Sequence, residues 1–179
     1  MTGTKSILVI GGSSDIGHAT ALRYAKEGWR VTLAARDREA AQRNADDVRT
    51  RSSVETTVQS LDVLETAQLA GFVAGLSVLP DTVVCVVGEL GDQLRAQTDP
   101  ELATTIMRTN FEAPSLLLEL FAQAFEARGS GTIIGVSSVA GDRGRASNYY
   151  YGAAKAASRN SCPGCATAWH SRVRSASSP

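Results

Sequence analysis

The sequence lacks net charge, long apolar runs and a disulfide framework. Its 179 residues carry 18 basic and 18 acidic side chains, so no general attraction to nucleic acid or anionic membranes is expected. The longest apolar run, Val83 to Val87, is five residues, whereas a membrane-spanning helix needs roughly 20. The chain has 3 cysteines, and its N-terminus has no signal-peptide pattern. These absences predict a cytoplasmic domain that neither spans a membrane nor binds nucleic acid.

Short runs rich in β-branched residues alternate with amphipathic segments along most of the chain. Runs of this length, bounded by Gly, Pro or polar residues, are typical of strands. Predicted strands cover residues 7–10, 31–35, 54–61, 83–87 and 132–136, and predicted helices cover the segment from Ile16 to Ala25 and residues 38–50, 66–76 and 100–128. Pro114 predicts a kink or a shared boundary in the last helix. This alternation predicts an α/β fold with a parallel sheet between two helical layers.

The first chemical motif, Gly-Gly-Ser-Ser-Asp-Ile-Gly at residues 11–17, directly follows the first predicted strand and opens the first helix. Glycines here allow a tight turn and bring backbone N–H groups close to a pyrophosphate. A P-loop would require Lys and Ser or Thr where His18 and Ala19 stand. The motif therefore predicts dinucleotide binding, with a purely structural turn as the alternative.

The second motif combines Ser138, near the end of the fifth strand, with Tyr151 and Lys155. On a helix, Tyr151 and Lys155 are four residues apart and face the same way. An ammonium group beside a phenol stabilises the phenolate, which a tyrosine needs for proton transfer near neutral pH. Tyr149 and Tyr150 have alanine at the corresponding position, so only Tyr151 is singled out. The alternative is an exposed Tyr/Lys pair on a surface helix.

Together these residues resemble the short-chain dehydrogenase/reductase family, over about residues 5–157. The resemblance implies a Rossmann-like doubly wound sheet of strand order 3-2-1-4-5. It also implies an NAD(P)-dependent oxidoreductase that transfers hydride between nicotinamide and a ketone or secondary alcohol, including keto sugars. In the catalytic group that it implies, Ser138 orients the carbonyl, Tyr151 donates the proton, Lys155 tunes Tyr151 and binds ribose, and Asn110 supports Lys155. The residues implied to hold the cofactor are Gly11, Ser13, Ser14, Ile16, Gly17, Arg36, Asp62, Val63, Gly88, Tyr151 and Lys155.

Some positions depart from the family pattern. Asp15 stands where glycine is usual, and its carboxylate would oppose phosphates unless it caps the helix. Of the usual Asn-Asn-Ala-Gly after the fourth strand, only Gly88 is retained. Arg36 follows the second strand where NAD-using members have an acidic residue, so we expect NADP rather than NAD.

Residues 158–179 differ sharply in composition from the rest: they contain no acidic residue and no Leu, Ile, Phe or Met. We therefore expect a nucleotide-binding domain over residues 1–157 and a disordered tail, as after a truncation or frameshift. The family's sixth and seventh strands would then be missing. The fifth strand would become an open edge that promotes aggregation. The resemblance implies that full-length relatives form homo-oligomers. An inactive nucleotide-binding fragment is one alternative. A thiol redox or metal site at Cys162 and Cys165 is a remote one.

Overall fold

The computed structural model describes residues 4–161 and 168–174, with the backbone alone for residues 160 and 168–174. The strands are β1 Ser6–Ile10, β2 Arg30–Ala35, β3 Thr56–Ser60, β4 Thr82–Cys85, β5 Ser130–Val136 and β6 Ala168–Arg174. The helices are α1 Asp15–Ala25, α2 Arg38–Ser52, α3 Leu69–Ala74, α4 Gln93–Ala96, α5 Pro100–Met107, α6 Ala113–Arg128 and α7 Tyr149–Asn160. Short 3-10 turns cover Thr66–Gln68 and Val139–Gly141.

Five strands form the parallel sheet that the sequence predicts, in the order β3-β2-β1-β4-β5. In the central strand, Leu8 pairs with Thr32 of β2 and with Val83 of β4. Because the strands are parallel, their carboxyl ends meet at one edge of the sheet. The glycine-rich turn and the segments after β2, β3, β4 and β5 therefore converge there.

Helices cover both faces of this sheet, and β1 shows how its sequence divides between them. Ile7 and Val9 contribute to a buried cluster with α1 and α2, whereas Leu8 and Ile10 contribute to a cluster with α3 and α6. Successive side chains of a strand point to opposite faces, so a strand covered on both sides is apolar throughout. The continuous apolar run of β1 follows from this arrangement.

The predicted helix over residues 100–128 is divided by a π-helical turn at Arg108–Glu112. Pro114 lies just after this turn and has no N–H, so it cannot continue the α-helical bonding across the junction. The N–H of Ala113 instead bonds to the carbonyl of Arg108, five residues earlier. The boundary expected at Pro114 is therefore present, and its form is a π turn.

The expectation of a structureless tail and an open β5 edge is wrong for part of the chain. Helix α7 continues past residue 157 to Asn160, and β6 pairs antiparallel with β5 from Ser130 to Val136. A sheet edge offers unpaired N–H and C=O groups, and a strand can bond to them without supplying an apolar core face. Amino-acid composition indicates whether a segment can fill a core. It therefore did not predict a strand that pairs only with a sheet edge. Among the described residues, β5 is therefore not the unpaired edge from which we expected aggregation.

Within the described residues, none of the helices combines the length and apolar character needed to cross a bilayer.

Candidate active site

The glycine-rich turn begins where β1 ends. Gly11 has φ +91°, a conformation that favours glycine, and its N–H and that of Gly12 donate to the carbonyl oxygen of Ala34 at 2.9 and 3.0 Å. Ser14 caps α1: its Oγ accepts the N–H of Gly17 at 3.0 Å and donates to the carbonyl of Gly11 at 2.8 Å. Ser14 thus provides the cap, and Asp15 is exposed in the first turn of α1.

Gly17 lies against the backbone of this turn. A Cβ atom at this position would lie 2.5 Å from the carbonyl oxygen of Gly11 and 3.1 Å from both Gly12 Cα and Ser14 Oγ. The atoms that Gly17 approaches belong to the glycine turn itself. A side chain at position 17 would therefore displace the turn.

Replacing Gly17 with alanine should distort the turn, because its nearest neighbours are backbone atoms that cannot rotate away. We expect a loss of about 1–3 kcal/mol in the free energy of unfolding, measured with urea. Gly71→Ala is the matched control, since Gly71 lies in α3 and a Cβ there meets no atom within 4 Å. Alanine is the better helix former, so this control should be neutral or stabilising. Equal effects of the two substitutions would contradict the role of Gly17.

A groove with about 730 Å³ of empty space runs along the carboxyl edge of the sheet. It brings together seven of the residues implied to bind the cofactor: Gly11, Ser13, Ser14, Arg36, Asp62, Val63 and Gly88. Gly17 is buried behind the turn, and Ile16 is 57% exposed on α1 without lining the groove. Tyr151 and Lys155 lie beyond the groove, on α7.

Four charged residues line the groove after three neighbouring strands: Arg36 and Asp37 after β2, Asp62 after β3 and Glu89 after β4. Arg36 is exposed directly after β2, while the adjacent Asp37 uses its Oδ1 to cap α2 through the N–H of Ala40 at 2.9 Å. Asp62 lies after β3, and its Oδ1 accepts the N–H of Leu64 at 3.0 Å. This bond is that of a turn-forming Asp and uses only one carboxylate oxygen.

The residues of the groove fit a dinucleotide. Thr109 is 8% exposed and lines the groove, yet its Oγ1 is buried without a hydrogen-bond partner among the described residues. A buried hydroxyl normally has a partner, and a bound polar ligand would supply one. At the end of β4, a Cβ on Gly88 would lie 3.0 Å from both Lys155 Nζ and Asn110 Oδ1. A side chain at position 88 would therefore press on the ends of both side chains where the groove meets α7.

The catalytic group centres on Lys155, which is only 4% exposed. Its Nζ donates to the carbonyl oxygen of Val87 at 3.0 Å and lies 5.8 Å from the centre of the Tyr151 ring. Within the described residues, no such contact joins Lys155 to Tyr149 or Tyr150, whose rings pack on each other at 4.7 Å. The structure therefore pairs Lys155 with Tyr151, as the four-residue spacing predicts.

Ser138 and Asn110 approach this pair from two other elements. Ser138 follows β5 and caps the turn at Val139–Gly141, its Oγ accepting the N–H of Ala140 at 3.2 Å. Asn110 is 1% exposed in the π turn, and its Oδ1 and the Lys155 Nζ flank the same point at Gly88. Asn110 and Lys155 thus meet at Gly88, and Ser138 adjoins Ser137, whose hydroxyl donates to the Lys155 carbonyl at 3.1 Å.

Burial lowers the pKa of the Lys155 ammonium group from its ordinary value of 10.5, and the neighbouring Cys85 thiol partly opposes this shift. Between the folded and unfolded pKa values the unfolded chain binds more protons at this lysine. Its contribution to the free energy of unfolding therefore rises with pH over that interval.

The stability difference between the wild type and Lys155→Met should follow this titration. We expect urea unfolding to show the wild type gaining stability relative to Lys155→Met as the pH rises toward about 10. Lys26→Met, at an exposed lysine after α1, is the matched control for replacing lysine with methionine. Parallel pH profiles for the wild type and Lys155→Met would argue against a buried, charged Lys155.

Two long-range contacts that sequence analysis missed hold the glycine turn and α7. Asn44 of α2 donates through Nδ2 to the carbonyl of Gly12 at 2.9 Å. Gln93 of α4 accepts the N–H of Tyr150 at 3.1 Å and so caps the first turn of α7. Neither residue lies in a local motif, so no signal in the sequence identifies these contacts.

Two further contacts of Lys155 were also missed. Its ammonium group donates to the main-chain carbonyl of Val87, and its own main-chain carbonyl accepts the Ser137 hydroxyl at 3.1 Å. The contact with Val87 cannot be read from the sequence, because its acceptor is a backbone carbonyl that every residue has. Ser137 is adjacent to Ser138 and could have been found from that position alone.

The family model for short chain dehydrogenases matches residues 5–174. The chain belongs to the short chain dehydrogenase family. The match extends beyond residue 157, where the sequence resemblance was expected to end. The family is one of oxidoreductase enzymes, and the parallel sheet matches its solved structures.

Individual relatives agree with this assignment. An uncharacterized oxidoreductase of Mycobacterium tuberculosis is 36% identical over 172 residues, covering 94% of this chain and 69% of its own length. The structure of a variant actinorhodin polyketide ketoreductase with NADPH has a TM-score of 0.80 at 26% identity, with 88% of this chain and 62% of that chain covered. A bulky-bulky ketone specific alcohol dehydrogenase from Comamonas testosteroni has a TM-score of 0.80 at 25% identity, covering 89% and 65%. The chain thus spans about three fifths to two thirds of these relatives' lengths.

The remote thiol or metal hypothesis concerns Cys162 and Cys165, which lie outside the described residues. Within the part of the chain that the structure describes, no group of three or more His, Cys, Asp or Glu side chains has a metal-binding arrangement.

Proposed function

We propose that this short chain dehydrogenase is an NADP(H)-dependent oxidoreductase that transfers hydride between nicotinamide and a ketone or secondary alcohol. The observation that carries the proposal is the buried Lys155 beside the Tyr151 ring, at the end of a groove lined by the glycine turn. The positive charge of Lys155 would strongly stabilise a negative charge on the Tyr151 oxygen, since burial reduces screening by solvent.

The cofactor would bind along the groove with its phosphates at the glycine turn and α1, where backbone N–H groups and the helix dipole favour anions. Arg36 would contact a ribose 2′-phosphate, and Asp62 and Val63 would hold the adenine end. When bound, NADPH supplies the hydride. The remaining chemistry belongs to the protein side chains.

In this proposal Ser138 holds the substrate carbonyl and Tyr151 donates a proton to its oxygen as the alcohol forms. Lys155 stabilises the phenolate that Tyr151 leaves behind, and Asn110 supports Lys155. In the reverse direction Tyr151 accepts the alcohol proton. The Tyr151 phenol is therefore the general acid and base.

The substrate is proposed at the level of a ketone, a class that includes keto sugars. The names of two structural neighbours, a polyketide ketoreductase and a ketone-specific alcohol dehydrogenase, support this class. Arg143 and Arg145 follow Ser138 in an exposed loop, where they are available to an anionic substrate group.

The test is to mix purified protein with NADPH and a panel of ketones, including keto sugars, and to follow loss of reduced-nicotinamide absorbance. We expect ketone-dependent oxidation with at least one member of the panel. Separate calorimetric titration with NADPH distinguishes two failures. Binding without turnover would favour an inactive nucleotide-binding fragment, and absence of binding would contradict the cofactor assignment.

A further inference from the structure

The main-chain carbonyl of Asn110 lies at an interruption in helical hydrogen bonding. In an α-helix it would accept the N–H four residues later, but that residue is Pro114, which has no N–H. The hydroxyl of Ser158, on α7, lies 2.6 Å from this carbonyl oxygen. A hydroxyl of the helix that carries Lys155 thus reaches a carbonyl that lacks its ordinary α-helical donor.

The Ser158 hydroxyl has a second acceptor in reach, the carbonyl of Ala154 at 3.0 Å. That carbonyl is four residues earlier in α7 and is the ordinary acceptor of the Ser158 N–H. A hydroxyl has a single proton to donate. The shorter distance and the missing helical donor both assign that proton to Asn110.

The side chain of Asn110 extends this connection to the segment after β4. Its Nδ2 donates to the carbonyl of Glu89 at 2.7 Å, and its Oδ1 accepts the N–H of Glu89 at 3.1 Å. Two residues earlier, the carbonyl of Val87 accepts the Lys155 ammonium. The contacts therefore form a closed loop from Ser158 through Asn110 and residues 87–89 back to Lys155.

We propose that Ser158 is a positioning residue whose hydroxyl fixes α7 to Asn110 and so holds residues 87–89 in place beneath the Lys155 ammonium. Lys155 is thus fixed at its side chain by Val87 and, three residues along α7, by Ser158. The structural part of this proposal stands alone, and its catalytic consequence rests on the proposed function. Ser158 is the first residue of the segment that composition assigned to a structureless tail.

Amide hydrogen exchange tests the structural part on the protein without cofactor. In Ser158→Ala and Ser158→Cys, the amide of Glu89 should exchange about 10-fold faster, because its acceptor Asn110 is no longer held from α7. Cysteine keeps the branching of the side chain, with a sulfur larger than the oxygen, and is only a weak donor, so it provides a second test if the alanine variant fails to fold. Ser158→Thr retains the hydroxyl and should restore slow exchange.

Ser52→Ala is the matched control. The Ser52 hydroxyl makes the same kind of bond within α2, to the carbonyl of Val48 at 2.6 Å, and has no contact with the π turn. This variant should leave exchange at Glu89 unchanged. Unchanged exchange at Glu89 in the folded Ser158→Cys variant would overturn the proposal, as would equal acceleration throughout the protein.

Steady-state kinetics test the catalytic consequence. We expect Ser158→Ala to lower kcat with ketone about 10-fold, with little change in KM for NADPH, and Ser158→Thr to restore kcat. Faster exchange at Glu89 with unchanged kcat would show that residues 87–89 do not set Lys155, and would overturn that step. If the wild type reduces no ketone, the proposed function fails, while the exchange measurement still decides the role of Ser158.

Discussion

Tyr151→Phe should remove nearly all ketone reduction, whereas Tyr149→Phe and Tyr150→Phe should retain most of it. The three tyrosines are consecutive in α7, but only Tyr151 has its ring beside the Lys155 ammonium. Removing its hydroxyl removes the proton donor, and positioned acid–base catalysis is typically worth about 10²- to 10⁴-fold in rate. The measurement is kcat for a ketone that the panel identifies as a substrate.

The neighbouring tyrosines make this comparison well controlled. Tyr149 and Tyr150 pack on each other through their rings, which phenylalanine preserves. All three variants should bind NADPH with similar affinity, because none loses its ring. If Tyr149→Phe or Tyr150→Phe lost nearly all ketone reduction while Tyr151→Phe kept it, the catalytic position would have been assigned to the wrong residue.

The sequence predicted those parts of the site that depend on local spacing. Gly11 and Gly17 are separated as a strand-to-helix turn requires, and Tyr151 and Lys155 are separated by one helical turn. Strand ends are also local features, so the convergence of Arg36, Asp62 and Gly88 at one sheet edge follows from the parallel topology. For these residues the short-range pattern and the fold agree.

The parts that the sequence did not predict depend on distant partners. Asn44 reaches Gly12 across 32 residues and Gln93 reaches Tyr150 across 57, so no helical or strand periodicity relates them. Ser158 was assigned to the tail because its segment has no acidic residue and no Leu, Ile, Phe or Met. Its role in the structure depends on one hydroxyl and one carbonyl that lacks its α-helical donor, which composition does not detect.

The π turn was predicted in part from the sequence and depends in part on a distant partner. Pro114 predicts an interruption in the long helix, and its position identifies the carbonyl of Asn110, four residues earlier, as the one that loses its α-helical donor. The sequence does not specify where a new donor comes from, and the structure identifies it as Ser158. The interruption of α-helical bonding at the π turn thereby provides the acceptor that joins the π turn to α7.

Arg36→Ala should abolish a preference for NADPH over NADH. Arg36 is exposed at the groove after β2, and no carboxylate forms an ion pair with it among the described residues, so its guanidinium is available to a 2′-phosphate. A hydrogen bond to a charged group is worth about 1.5–3 kcal/mol, which corresponds to about 10- to 150-fold in affinity. NADPH should therefore bind that much more weakly to the variant, while NADH, which has no 2′-phosphate, should bind almost unchanged.

Arg30→Ala is the control for this measurement, because Arg30 is also exposed but begins β2 at the opposite edge of the sheet. Removing either arginine changes the net charge equally, so a general electrostatic effect would weaken NADPH binding in both variants. A contact with the 2′-phosphate would weaken it only in Arg36→Ala. Calorimetric titrations of both cofactors into the three proteins separate these cases, and equal affinities of the unmutated protein for NADPH and NADH would rule out the assignment of Arg36.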